Sequence, residues 1–179
     1  MATKATVYKV KLQVSDMDRS YFEEMAVTIA QHPSETAERM MVRLLAFALH
    51  ASEDLKFTEG VSSEDEPDIW QKSMSDEIEI WIDVGLPDER RIKKACNRAK
   101  QVYVYAYGGR PVQPWWDAIN EKIARHKNLK VIALPYPATK ALGEMPERTM
   151  ALQCTIQDGQ IWIDDSKSNI VVEPEVLQG

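Results

Sequence analysis

The chain has 179 residues, 44% hydrophobic and 28% charged, which fits one globular domain over 1–179 that buries a core without disulfides or metal staples. No apolar run approaches the roughly 20 residues needed to cross a bilayer, and the opening residues alternate instead of forming a signal-peptide core, so the reading is a cytoplasmic protein with no membrane partner. Cys96 and Cys154 and the three histidines are scattered, which argues against zinc, and a net charge of −6 argues against nonspecific coating of nucleic acid while leaving room for a local basic face.

Residues 4–14 alternate as a strand, and Asp16-Met17-Asp18-Arg19-Ser20 is turn-like. In Tyr21–Ala30, Glu23-Glu24-Met25-Ala26 favours helix and Val27-Thr28-Ile29 favours strand; a second strand completing an N-terminal hairpin is preferred. His32-Pro33-Ser34-Glu35 stops that strand and starts a helix, with Ser34 as N-cap, that runs to about His50. Its apolar stripe is Ala37, Met41, Leu44, Leu45 and Ala48, with Arg39 and Arg43 opposite. Glu38 falls at the stripe's margin and can look inward, whereas Glu35 is expected to stay wet. A surface acid paired with a nearby base is an equal reading for Glu38.

Leu55–Thr58 reads as a short strand, Val61–Glu66 as a polar loop and Asp68–Lys72 as a second short strand. Ile78–Val84 is the cleanest strand, with Ile78, Ile80, Ile82 and Val84 on one face and Glu79, Trp81, Asp83 and Gly85 on the other. Glu79 lies about 13 Å back from Asp83 and cannot share a metal with it. Pro87-Asp88-Glu89 opens a helix with the stripe Ile92, Ala95, Cys96 and Ala99. Lys93 sits nearer the stripe's edge and Lys94 faces solvent; a fully solvated basic face is the competing reading. Val102–Tyr107 is a strand turned by Gly108-Gly109-Arg110-Pro111. Pro114–Lys127 is a helix whose Trp115 and Trp116 read as packing or interface anchors before nucleobase platforms. Val131–Leu134 is a strand, Arg148–Gln157 and Gln160–Asp164 form a hairpin about Asp158-Gly159, and Asn169–Val172 adds a last strand.

The chemistry concentrates in the middle of the chain. Asp68 follows a proline, Asp83 ends a strand, and Lys93 and Lys94 lie on the next helix; two carboxylates and a lysine can hold a divalent cation and activate water against a phosphodiester. Glu53–Asp68 carries seven acids against Lys56, and Asp88–Lys100 carries six bases against two acids. Together they read as an ion-pair layer or as a cation site beside a phosphate-binding rim.

From Ser34 onward the succession helix, strand, strand, strand, helix, strand resembles the core of the PD-(D/E)XK nuclease superfamily, placed at about 34–134. Pro67-Asp68 fits its first motif and Asp83 the acidic position of its second. Gly85 stands where that superfamily usually has lysine, so Lys93 or Lys94 would stand in, or the site is degenerate. The strings from His32 to Met41, from Gly85 to Cys96 and from Thr155 to Gly159 look like those of the bacterial YaeQ family, over essentially the whole chain. The resemblance implies an α/β domain with a mixed sheet flanked by helices, a variation on the restriction-endonuclease-like core with N-terminal and C-terminal hairpins, and no established reaction.

Two functions are carried forward. The first is a metal-dependent phosphodiesterase acting on nucleic acid: Asp68 and Asp83, with Glu38, hold magnesium or manganese, Lys93 or Lys94 serves the attacking water or the phosphate charge, and Arg90, Arg91 and Lys94 line the substrate groove. The second keeps the fold without the chemistry, as a binding module for nucleic acid or an adaptor for a protein partner.

Overall fold

The structure, a computed structural model, describes residues 4–58 and 65–179. Its elements begin with β1 (Thr6–Asp16), β2 (Tyr21–Gln31), α1 (Ala37–Leu49), β3 (Leu55–Phe57), β4 (Ile69–Lys72), β5 (Ile78–Val84) and α2 (Glu89–Arg98). They continue with β6 (Ala99–Ala106), α3 (Val112–Ile123), β7 (Leu129–Ala133), α4 (Tyr136–Leu142), β8 (Thr149–Gln157), β9 (Gln160–Asp164), β10 (Asn169–Val172) and β11 (Glu175–Gln178). The class is α/β, with mixed sheets and, among the described residues, four α-helices. None of these helices is long and apolar enough to cross a membrane. The first four residues of the expected 61–66 loop lie outside the described residues.

The chain gathers into two compact units, Met1–Ala51 with Pro137–Pro174 and Ser52–Tyr136 with Glu175–Gly179. The expected 34–134 core is thereby divided, because α1 belongs to the first unit and β3–β7 to the second.

In the first unit the order is β10-β9-β8-β1-β2. Both expected hairpins form, and they join by a parallel pairing of β1 with β8 from Lys9↔Thr149 to Asp16↔Ile156. Alternation sets the faces: Val10, Leu12, Val14, Val27, Ile29, Leu152, Ile161 and Ile163 are buried. Met41, Leu44, Leu45 and Ala48 of α1 line a small apolar cavity with Leu12, Leu142, Leu152 and Ile163. At the β8–β9 turn, Asp158 and Gly159 both have positive φ, 52° and 78°, as a type I′ hairpin requires. The Asp18 carboxylate accepts both turn N–H groups at 2.8 and 2.9 Å, tying the two hairpin tips together.

The start of α1 departs from expectation. Thr36 is the N-cap, accepting the Arg39 N–H, and Ser34 instead bonds His32. Glu35, expected to be wet, is buried, and Arg43, expected to lie opposite the apolar stripe, is buried with it. Arg43 donates to both Glu35 oxygens at 2.6 and 2.8 Å, and Arg39 adds a third bond at 2.7 Å. Thr36 ends the extended segment after Glu35, so residues 35, 39 and 43 stack one turn apart on the side of the helix that meets β2.

In the second unit the order is β11-β7-β6-β5-β4-β3, with β5, β6 and β7 parallel and the other pairings antiparallel. The α2 and α3 helices supply Ile92, Ala95, Ile119 and Ile123 to a core with Trp81, Val102, Val104 and Val131. Asp88 is the N-cap of α2, accepting the Arg91 N–H, as its proline-acid opening suggests. Trp115 and Trp116 are half-buried against this core, and Trp115 donates its indole N–H to the Pro87 carbonyl, so both are packing residues. Neither α4 nor β11 is anticipated by the sequence reading, and α3 begins two residues before its expected start and ends four before its expected end.

Burial pushes the Glu35 carboxyl up, but the bonds and charges of Arg43 and Arg39 outweigh it and hold it below its ordinary value. A depressed carboxyl contributes stability above its unfolded pKa and loses it as pH falls through the folded value. Glu35→Gln, which strands the Arg43 charge, is expected to cost about 3 kcal/mol in urea unfolding at pH 7. The gap from wild type should narrow as the pH is lowered below the ordinary carboxylate range, and an equal gap at both pH values would contradict the assignment.

Candidate functional site

The two expected acids meet. Asp68 lies one residue before β4 and Asp83 one residue after Ile82; because Ile69 pairs with Ile82, the acids stand opposite each other where the antiparallel ladder ends. Opposite residues share a face, here the face of Trp81 that α2 covers. Both are buried, at 7% and 2% exposure.

Protein donors hold both carboxylates. Asp68 Oδ2 accepts the Val84 backbone N–H at 2.8 Å, while its own N–H donates to the Ile82 carbonyl. Arg91 reaches down from α2 as a fork, giving Nε–H to Asp83 Oδ2 at 2.9 Å and Nη2–H to Oδ1 at 3.0 Å. Its Nη2 also bonds the Glu66 carbonyl, and the Trp81 indole N–H adds a bond to Asp83 Oδ2 at 3.1 Å. Burial nevertheless holds the Asp83 carboxyl above its ordinary value, with the charge of Asp68 pushing the same way and the Arg91 and Trp81 bonds pulling against it.

The remaining expected site residues fall elsewhere. Arg91, expected in a substrate groove, is the internal counter-charge of Asp83. Lys93, expected to turn inward, is exposed, and Lys94, expected to face solvent, is half-buried and pairs with Asp65 at 2.6 Å. That pairing holds Asp65 below the usual carboxylate range. Arg90 is exposed on α2. Glu38 belongs to the first unit, where its Oε2 accepts the Thr139 hydroxyl at 2.9 Å and fastens α1 to α4. Glu79 accepts from Gln71 and takes no part. Burial pushes Cys96 up to about 11 and Cys154 up to about 12, which leaves both as inert structural thiols.

A divalent cation needs carboxylate oxygens turned toward a common point. Both oxygens of Asp83 are committed to a guanidinium, one oxygen of Asp68 to a backbone amide, and among the described residues no group of three or more His, Cys, Asp or Glu is placed to hold a metal ion. With Arg91 in place, the residues present do not fit magnesium or manganese.

The fold as a whole is shared. A family model described as YaeQ protein matches residues 1–174. The chain belongs to the YaeQ family. It is 49% identical to the YaeQ protein of Salmonella typhi, covering 97% of this chain and 96% of that one, and 46% identical to that of Escherichia coli K12, covering 96% and 95%. The crystal structure of YaeQ from Xanthomonas axonopodis pv. citri matches with a TM-score of 0.95 at 45% identity, over 98% of this chain and 99% of that chain. The YaeQ structure from Pseudomonas syringae matches with a TM-score of 0.93 at 35% identity, over 98% and 97%.

Removing the Arg91 fork leaves Asp83 buried beside a second carboxylate. Arg91→Met is expected to cost about 3–5 kcal/mol at pH 7.5. A raised carboxyl favours the folded state below its unfolded pKa and loses that contribution as pH rises through the folded value, so the variant should regain stability on acidification toward pH 5. Asp83→Asn in the same chain should restore most of the loss at pH 7.5. Urea unfolding of the two variants at both pH values decides this; a stable single variant would show that the fork carries little.

Proposed function

We propose that this chain is a binding module on a PD-(D/E)XK-like core, in which the acid pair serves the structure and nucleic acid is taken on the basic face of α2. The observation that carries the reading is the Arg91 fork, which occupies both Asp83 oxygens where a metal ion would sit. In support, Arg90 and Lys93 face solvent on the same helix, and phosphate recognition needs no more than accessible cations held on a rigid element. Gly85 in the position of the missing lysine is consistent with the loss of turnover, because no cation other than Arg91 bonds Asp83 among the described residues.

A metal-dependent phosphodiesterase is the second reading. It is favoured by one observation, that Asp68 and Asp83 stand opposite each other, buried on one face, where a divalent cation would offset both charges and, of the two acids, Arg91 bonds only Asp83 by the hydrogen bonds named above.

Binding of fluorescently labelled DNA and RNA, measured by anisotropy across salt concentrations, separates the two. The binding module should bind equally with magnesium or with chelator, whereas the phosphodiesterase should need the metal. Arg90→Ala with Lys93→Ala should weaken all sequences alike and lower the salt slope by about two. Calorimetric magnesium or manganese binding that Asp83→Asn abolishes, together with cleavage of the probe, would overturn the proposal in favour of the phosphodiesterase.

A further inference from the structure

The edge of the five-stranded sheet is open along β2. No described strand lies beyond it, and its eleven residues pair with β1 in one unbroken register from Thr6↔Gln31 to Asp16↔Tyr21. Exposed edges are ordinarily blunted by proline, charged side chains, a bulge, shortness or a covering element, and of these β2 has only Glu23 and Glu24 near its start and the Arg43 bond near its end. The segment from Tyr21 to Gln31 has no proline, no lysine, no arginine and no bulge.

Two hydrogen bonds establish which backbone groups face outward. The Lys9 N–H donates to the Arg148 carbonyl, on the β8 side of β1, so Lys9 and its partner Thr28 do not bond each other and Thr28 directs its N–H and C=O away from the sheet. Two residues on, the Ala30 carbonyl also points outward and accepts from Arg43 at 2.7 Å. By the two-residue period, Phe22, Glu24, Ala26 and Thr28 present their N–H and C=O groups to the open edge, and the Arg43 bond closes it at Ala30.

We infer that this edge pairs with the same edge of a second copy of the chain, antiparallel and centred on Ala26. The charge and size pattern of the strand selects that register. A two-fold axis through Ala26 sets Ala26 opposite Ala26 and Glu24 opposite Thr28, giving six backbone hydrogen bonds that use none of the groups already taken. Phe22 then falls opposite Ala30, in the row where Ala30 pairs with Val7. Phe22 and Val7 are exposed at 56% and 48%, and the small side chain of Ala30 lets the ring of one copy lie toward Val7 of the other. Moving the axis to Glu24 sets glutamate against glutamate. Moving it to Met25 brings the two Glu24 side chains diagonally together and puts Phe22 opposite Thr28, in the row of Lys9. The sheet of each first unit thus continues through the edge of the other, as in strand addition.

Sedimentation of the full chain over a wide concentration range tests the pairing. Wild type should dimerise reversibly, and Ala26→Pro, which removes an outward N–H not used by β1, should be a folded monomer by circular dichroism. Thr28→Glu, which sets like charges opposite Glu24 twice in each dimer, should weaken the dimer roughly fivefold, and Thr28→Lys should tighten it by a similar factor. That opposed pair of shifts belongs to this register, and both substitutions lie on an exposed strand position that leaves the monomer core intact. A wild type that stays monomeric throughout would overturn the proposal and leave the edge to a chain of another sequence. A dimer that Thr28→Glu and Thr28→Lys move alike, or leave unmoved, would overturn it as well.

Discussion

A charge taken out of water must be met by another, and the units of this chain are each fastened where that happens. Asp83 is met by Arg91, Glu35 by Arg43, and Asp16, 2% exposed, by Arg19 at 2.7 Å. Such pairs add little net stability over an apolar replacement, because desolvation consumes most of the attraction. What they impose is position. Arg91 can reach Asp83 only if α2 lies over Trp81, Arg43 can reach Glu35 and the Ala30 carbonyl only if α1 starts against β2, and Arg19 closes the β1–β2 turn and also bonds the Ala51 carbonyl after α1. Any other packing of these helices would strand a buried ion at a cost of several kcal/mol, which is comparable to the whole stability of a small domain.

Elements whose identity is written locally were legible. The alternation of Ile78–Val84, the proline and acids before α2, and the Asp158-Gly159 turn each specify a backbone conformation within a few residues, and each forms. The ambiguous Tyr21–Ala30 segment is a strand because Val27 and Ile29 are buried in register with Val10 and Tyr8, which outweighs the helical preference of Glu23–Ala26. Nothing local encodes the parallel pairing of β1 with β8, which joins residues about 140 apart and depends on which apolar faces meet. The short α4 and β11 segments have too few residues for a period to stand out.

The site was legible in its acids and misread in its bases. Pro67-Asp68 and the end of the alternating strand located both carboxylates. A wheel position near the edge of a stripe does not say which neighbour is at hand: Lys93 is exposed, and Lys94 lies along the surface to pair with the exposed Asp65. Arg91 carried a signal that went unused, since it precedes Ala95 by four residues and so lies about 40° from the buried stripe on the wheel. The spacing of Glu35, Arg39 and Arg43 at successive intervals of four was a similar signal, and a third-turn arginine aligned with an acid at the helix start is a pattern for an internal pair.

Asp68 and Asp83 are costly to keep together. Like charges facing each other at the end of a ladder repel, and both of these are buried. The chain lowers that cost with one guanidinium, one indole and one backbone amide, and burial still holds Asp83 above its ordinary value. A divalent cation would neutralise both acids more completely, but it could reach Asp83 only by displacing Arg91. That would also release the Glu66 carbonyl and remove the polar tie between α2 and the strand beneath it. Metal binding and helix docking therefore compete for the same two oxygens. With the cation built into the helix, Asp83 keeps its counter-charge only while α2 is in place, which makes the pair a clasp for the face that carries Arg90 and Lys93.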